Sequence, residues 1–252
     1  MLEAKELLRR ALVRANLDLH QRHHVPFGVS WSADIGHYLQ GRTASVIFDI
    51  GAHKGETALM LMRAFPGVYV HSFEPLPENF AALEEATAGT SALNNNVAVS
   101  DKSGVVTIAR GDMTYHASVH GSGEKLEVPS VTIDEYALAH HLDRIDVLKI
   151  DTEGHEEAVL RGGLGRLESG GIEFVVCECE FTARPDEPHA DFRAIYDVLE
   201  PLGYRVVSFY TGGVDNLGWI WGDVLFRYAP GERDPKTWSP SPYIKRRTLG
   251  FL

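Results

Sequence analysis

Residues 46–57 read Val-Ile-Phe-Asp-Ile-Gly-Ala-His-Lys-Gly-Glu-Thr, an apolar run that ends beside an acid and breaks into a glycine turn ahead of a helical stretch. Open α/β sheets bind nucleotide-like ligands at such a handover, because glycines and a helix N-terminus lie beside the carboxyl ends of parallel strands. Gly51 and Gly55 mark the turn. A second apolar run, Val68 to Phe73, closes on Glu74 about twenty residues further on, where a carboxylate can bond both ribose hydroxyls. Together these features predict an adenosine-type ligand. The other reading of the two glycines is a tight turn with no ligand role.

A dinucleotide site uses G-x-G-x-x-G, so that the backbone and the helix N-terminus can receive a pyrophosphate. This chain has G-x-x-x-G, with His53 in the position of the close-approach glycine and Asp49 where a diphosphate would be repelled. S-adenosylmethionine has no phosphate and carries a sulfonium and an ammonium group, both of which prefer acidic surroundings. The turn therefore favours that cofactor over a nicotinamide dinucleotide, with Asp49, Gly51 and Gly55 at its methionine end and Glu74 on its ribose.

With 252 residues and 44% hydrophobic content the chain can bury one full α/β core, and no shift in composition divides it. Lys and Arg number 24 against 35 Asp and Glu, a formal net charge of −11, which argues against a nucleic-acid partner. Cys177 and Cys179 are one residue apart on one expected strand, a spacing that makes a mutual disulfide difficult and fits a reducing cytoplasm. Lys5, Arg9 and Arg10 interrupt the N-terminal stretch, and no other run has the length of a membrane span, so a soluble, cytoplasmic protein is expected.

Three regions follow. Residues 1–45 form an expected N-terminal helical cap: Leu7, Leu8, Ala11, Leu12 and Ala15 recur at helical spacing, whereas 25–42, with Trp31, His37 and Tyr38, show neither helical nor strand pattern. These aromatics either border a substrate mouth or pack under the cap. Residues 46–228 alternate strand and helix, with a third strand expected at Asn96–Ser100 and a short edge strand at Val105–Ala109. The polar stretch 111–123 reads as a loop, and its His116, Ser118 and His120 are candidate acceptor contacts or surface residues. Residues 229–252 contain Pro230, Pro235, Pro240 and Pro242, so this segment is a solvated tail or an arm that packs on its own fold or a sister subunit. The cap helix and the arm are the candidate homo-oligomer contacts. The expected fold is α/β, a doubly wound and mostly parallel sheet with an antiparallel strand near one edge.

The segments Phe48-Asp49-Ile50-Gly51-Ala52-His53-Lys54-Gly55, Ser72-Phe73-Glu74-Pro75, Leu148-Lys149-Ile150-Asp151-Thr152-Glu153-Gly154-His155-Glu156 and Trp221-Gly222-Asp223-Val224-Leu225-Phe226 occur in this order. The chain thereby resembles the FkbM family of S-adenosylmethionine-dependent methyltransferases over roughly residues 30 to 228. The resemblance implies a seven-stranded, Rossmann-like class I methyltransferase fold. It also implies methylation of a hydroxyl on a sugar, glycan or other natural product. Cofactor contacts are then expected from Asp49, Gly51, Ala52, His53, Gly55, Glu74 and Asp151. His53 stands where many relatives have asparagine. Asp151-Thr152-Glu153-Gly154 replaces the Asn/Asp-Pro-Pro-Tyr/Phe segment with which amino methyltransferases grip a base nitrogen, which points to an oxygen acceptor.

An alcohol attacks poorly until its proton leaves, so a general base or a metal is expected near the acceptor. Glu153 is the expected base or else a cap for the following helix, with Asp151 orienting the acceptor or lining the cofactor side. His155 and Glu180 are further catalytic candidates. Glu178 and Glu180 share one face of an apolar strand. With Asp151 and Asp223 they either form an all-oxygen divalent-metal site or are neutralised by cations such as Lys149. A nicotinamide-dependent oxidoreductase and a non-catalytic cofactor-binding module stay open as alternatives at this level.

Overall fold

The strands in chain order are β1 (Val46–Ile50), β2 (Tyr69–Phe73), β3 (Ala92–Asn95), β4 (Ala98–Val99), β5 (Gly104–Arg110), β6 (Ala117–Ser118), β7 (Lys125–Val131), β8 (Ile145–Ile150), β9 (Ile172–Glu180), β10 (Tyr204–Phe209) and β11 (Trp221–Tyr228). The helices are α1 (Trp31–Leu39), α2 (Glu56–Ala64), α3 (Pro77–Ala86), α4 (Ile133–Ala139), α5 (Glu156–Arg161), α6 (Leu164–Glu168) and α7 (Phe192–Leu199). This computed structural model describes residues 25–110, 117–118, 124–182, 190–210 and 212–231. The cap stretch Leu2–Leu19, His116, His120 and most of the C-terminal arm lie outside the described residues. Among the described residues no helix is long and apolar enough to cross a membrane.

Seven strands form the main sheet in the order β10-β11-β9-β8-β1-β2-β3. Pairings from β9 through β3 are parallel, and β11 runs antiparallel between β9 and β10. This is the class I methyltransferase architecture. Each central strand is buried on both faces, which is why β1 and β8 are nearly continuous runs of Val, Ile, Leu and Phe. Alternation divides their side chains. Phe48, Leu148, Val175 and Phe226 pack with α4, α5, α6 and α7, while Ile47, Val147, Val176 and Leu225 pack with α1 and α2. Cys177 and Cys179 are free thiols fully buried in the first of these layers.

The structure corrects three expectations. The third parallel strand of the main sheet is Ala92–Asn95, and of the expected Asn96–Ser100 only Ala98–Val99 is a strand, β4, which lies in the second sheet; the polar sequence of β3 suits an edge, and the Asn95 side-chain amide bonds to the Ser72 carbonyl at 3.1 Å. Residues 25–42 do contain a helix, α1, whose Trp31, Ile35 and Leu39 are buried on the sheet. Tyr210 donates to the buried Asp34 at 2.7 Å, and the Gly28 amide donates to the same oxygen at 2.8 Å. Trp31, Ile35 and Leu39 recur every four residues, the helical spacing that the reading of 25–42 passed over, and the bonds to Asp34 anchor this short helix. Val105–Ala109 belongs to a longer strand, β5, inside a second sheet of order β4-β7-β5-β6, where it pairs antiparallel with β7.

Candidate active site

The glycine turn after β1 is tied to the end of β2 by its own amides: Gly51 and Ala52 both donate to the Phe73 carbonyl at 3.0 Å. Glu74 completes the tie. Its carboxylate accepts from the His53 amide and the Leu76 amide, each at 2.9 Å, and from the Asn79 side chain. Burial raises its pKa against the lowering effect of these bonds. Each carboxylate oxygen has a second lone pair, so the same group can still face a ligand hydroxyl. His53 adopts φ 49°, a left-handed backbone in which asparagine and histidine are enriched among non-glycine residues. That preference accommodates the histidine at this position.

Gly51 has φ 82°, and a Cβ there would lie 1.8 Å from the Asp151 carbonyl oxygen. The glycine is therefore needed for close approach between the turn and the end of β8. Gly55 has φ 94° and faces α3, where a Cβ would meet Leu83 at 3.0 Å, so its part is to pack α2 against α3.

Beside this turn lies a cavity of about 260 Å³. Its floor is Gly51, Ala52, His53 and Glu74, one wall is Asp151, Thr152, Glu153 and His155, and the opposite wall is apolar, from Val97, Ala98, Val99, Val106 and Ile108. Val106 and Ile108 come from the second sheet. Their alternation in Val105–Ala109 was the available sequence signal, but it identified a strand and no partner. The lining contains Glu56, Glu74, Asp151 and Glu153 and, among the described residues, no Lys or Arg. Under the turn, Asp49 is 1% exposed, and its Oδ2 has no hydrogen-bond partner among the described residues. Burial pushes Asp49 up to about 7, with Lys149 opposing the shift. A lining with four carboxylates and, among the described residues, no Lys or Arg, above an unsatisfied buried carboxylate, fits a cationic adenosine cofactor and repels a diphosphate.

The alternate face of the sheet carries the second half of the site. Asp49 pairs in register with Lys149, and Glu178 with Asp223. Lys149, fully buried, bonds Asp151 at 3.0 Å and lies 3.6 Å from Asp223. Burial alone would lower the lysine pKa, but the two carboxylates outweigh it and the net shift is upward. Of the two readings of this acid group, Asp151 and Asp223 follow the ion-paired one. One oxygen each from Asp151, Glu153 and Glu178 lies within 4.8 Å of the others, a set that could hold a cation and is common without one.

Glu153 is exposed and has φ 55°, a strained backbone for a side chain of its size. The helix-capping alternative falls to another residue: Glu156, 1% exposed, accepts from the Thr152 amide at 2.7 Å and the Gly154 amide at 3.0 Å. His155 lines the cavity with Nε2 2.9 Å from Ser100 Oγ. Glu180 stands two register pairs beyond Glu178, opposite Trp221. Ser118 lies in β6, where its backbone pairs with Ala109 of β5.

Burial, reinforced by Asp151, pushes Glu178 up to about 9. Because this folded value exceeds the ordinary 4.5, the contribution is fully present below about pH 4.5 and is lost as pH rises toward 9. Thermal melts should show Tm falling across that window, and Glu178→Gln should flatten the fall. An equally steep slope in the variant would refute the assignment.

Residues 49–206 match the Methyltransferase FkbM domain. The 31-O-demethyl-FK506 methyltransferase FkbM of Streptomyces tacrolimicus is 30% identical over 162 residues, 50% of this chain and 62% of that protein. The hexuronic acid methyltransferase AglP of Haloferax volcanii is 26% identical over 148 residues, 56% of this chain and 59% of that protein. The chain thus spans about three fifths of the length of these curated relatives. Among solved structures, magnesium protoporphyrin IX methyltransferase from Synechocystis PCC 6803 with bound SAM aligns with a TM-score of 0.47 at 11% identity, over 79% of this chain and 76% of that one. The domain match covers well over half of the chain, and the chain belongs to the FkbM family of S-adenosylmethionine-dependent methyltransferases.

Proposed function

We propose that this protein is an O-methyltransferase that transfers the methyl group of S-adenosylmethionine to a hydroxyl of a sugar, glycan or other natural product. The observation that carries the reading is the Asp151, Glu153 and Glu178 carboxyl cluster, which adjoins the acid-lined cavity at the carboxyl ends of β8 and β9. The names of the two curated relatives favour the same acceptor range. Bound S-adenosylmethionine supplies an electrophilic methyl on a sulfonium. Asp49, Ala52, His53, Glu74 and Asp151 hold the cofactor side. Glu153 takes the acceptor proton, Asp151 orients the acceptor, and Lys149 keeps the Asp151 side chain in place through its 3.0 Å bond. A nicotinamide reaction is disfavoured by the four carboxylates of the lining. A cofactor-binding module without catalysis would convert no S-adenosylmethionine to S-adenosylhomocysteine with any acceptor.

A methyl-transfer screen over hydroxylated glycans and natural products, read by mass increase, tests the reading, and the absence of any methylated product would reject it. Calorimetry tests the cofactor side: Glu74→Ala should weaken S-adenosylhomocysteine binding by about 1.5–3 kcal/mol, the range for a charged hydrogen-bond partner. Unchanged affinity would remove Glu74 from the ribose. Because Lys149 already provides the cation between Asp151 and Asp223, turnover is expected to persist in chelator. Loss of turnover, restored by magnesium, would assign a metal to the Asp151, Glu153 and Glu178 oxygens.

A further inference from the structure

Trp221 opens β11 at the same edge of the sheet as the carboxyl cluster. Strand alternation places its side chain on the face that carries Asp223, and its register partner is Glu180. The indole lies against the Gly212-Gly213 backbone: a Cβ on Gly213 would be 2.3 Å from its Nε1, and one on Gly212 would be 2.6 Å from its Cε3. A side chain at either glycine would displace the ring, yet Trp221 as a residue remains 40% exposed. Asp223 lies two positions along the strand, a rise of about 7 Å.

A rigid aromatic plate beside hydrogen-bonding acids is suited to a sugar, whose C–H face is apolar and whose rim is hydroxyl. Charge narrows the choice. Asp151, Glu153, Glu178, Glu180 and Asp223 border this edge, and the cation set among them, Lys149, is buried and already bonded to Asp151. An acidic sugar would bring a further carboxylate against this group, at a cost that a neutral or amino sugar avoids. Building on the methyltransfer reading above, we infer that Trp221 is the acceptor platform and that the acceptor is a sugar ring carrying no acidic group. In this respect the chain departs from the relative named for hexuronic acid.

The test uses the full chain with methyl glycosides of a hexose, a hexosamine, a hexuronic acid and the methyl ester of that hexuronic acid. Methyl transfer is read by mass, and acceptor binding by saturation-transfer NMR. Trp221→Ala should raise the KM for the neutral glycoside about tenfold with little change in kcat, and Trp221→Phe should recover most of the loss. The hexuronate should be used about tenfold or more less efficiently than its ester, which has the same shape without the charge. Calorimetry with S-adenosylhomocysteine should give the same affinity in all variants, which also establishes that each is folded. An unchanged KM in Trp221→Ala overturns the platform, and a hexuronate used as well as its ester overturns the charge selection. Transfer to non-sugar hydroxyls alone overturns the sugar inference while leaving the methyltransferase reading intact. Failure to bind S-adenosylhomocysteine in the unaltered chain overturns both.

Discussion

Gly51→Ala is expected to remove cofactor binding and to lower Tm by about 4–20 °C, the largest single-site loss of stability at this site. The added Cβ would lie 1.8 Å from the Asp151 carbonyl oxygen and 2.8 Å from its carbon. Both are backbone atoms of a central strand end, so no flexible side chain can move aside. A left-handed φ of 82° adds about 1–2 kcal/mol for any residue with a Cβ. Overpacking adds about 1–3 kcal/mol more. At about 2–4 °C per kcal/mol for a domain of this size, the Tm range follows. Relief of the clash moves the turn away from β8, and with it the Gly51 and Ala52 amides that bond Phe73 and the His53 amide that bonds Glu74. Differential scanning fluorimetry and calorimetry with S-adenosylhomocysteine read the two effects. A variant with the melting temperature and affinity of the unaltered chain would show that the turn and strand end do not touch as described.

The second large effect is on rate. Glu153→Gln should slow methyl transfer about 10²–10⁴-fold, the usual contribution of a positioned general base, while leaving cofactor affinity unchanged. The amide preserves shape and hydrogen bonding but cannot accept the acceptor proton. The placement supports this role: Glu153 lines the cavity, holds a strained φ of 55°, and shares a 4.8 Å cluster with Asp151 and Glu178. Glu156 satisfies the nearby amides, so stability should change little. Single-turnover measurements separate transfer from binding. Transfer at the unaltered rate would exclude Glu153 as the base and return that role to Asp151, Glu180 or His155.

Much of this site was legible in the chain because its parts are local in sequence. The glycine turn, the acid closing β2 and the acids after β8 each sit at a strand end, and a strand end is written in a few consecutive residues. Periodicity also placed Glu178 and Glu180 opposite Cys177 and Cys179, because alternation in an extended strand is geometric. Contacts between distant segments were not legible. Glu156 reads as another first-turn acid until its carboxylate is seen on the Thr152 and Gly154 amides. The bounds of a polar edge strand were misplaced by several residues, since Asn94 and Asn95 carry little β preference and are held by pairing with β2.

The sequence by itself determined the α/β class, the succession of strand and helix, and the chemistry of the acids at the strand ends, because hydrophobic period and turn residues act over a few positions. Only the tertiary structure decided which of those acids meet. Lys149 joins Asp151 to Asp223 across strands more than seventy residues apart in the chain, and Gly51 proves to be a contact residue for the Asp151 backbone. It also decided that a second sheet supplies the apolar wall and that Trp221 rests on two glycines beside the carboxyl cluster. The physical reason is common to all of these. Charge pairing and steric exclusion act through space over a few ångströms, and strand order, which no local pattern encodes, sets which residues come that close.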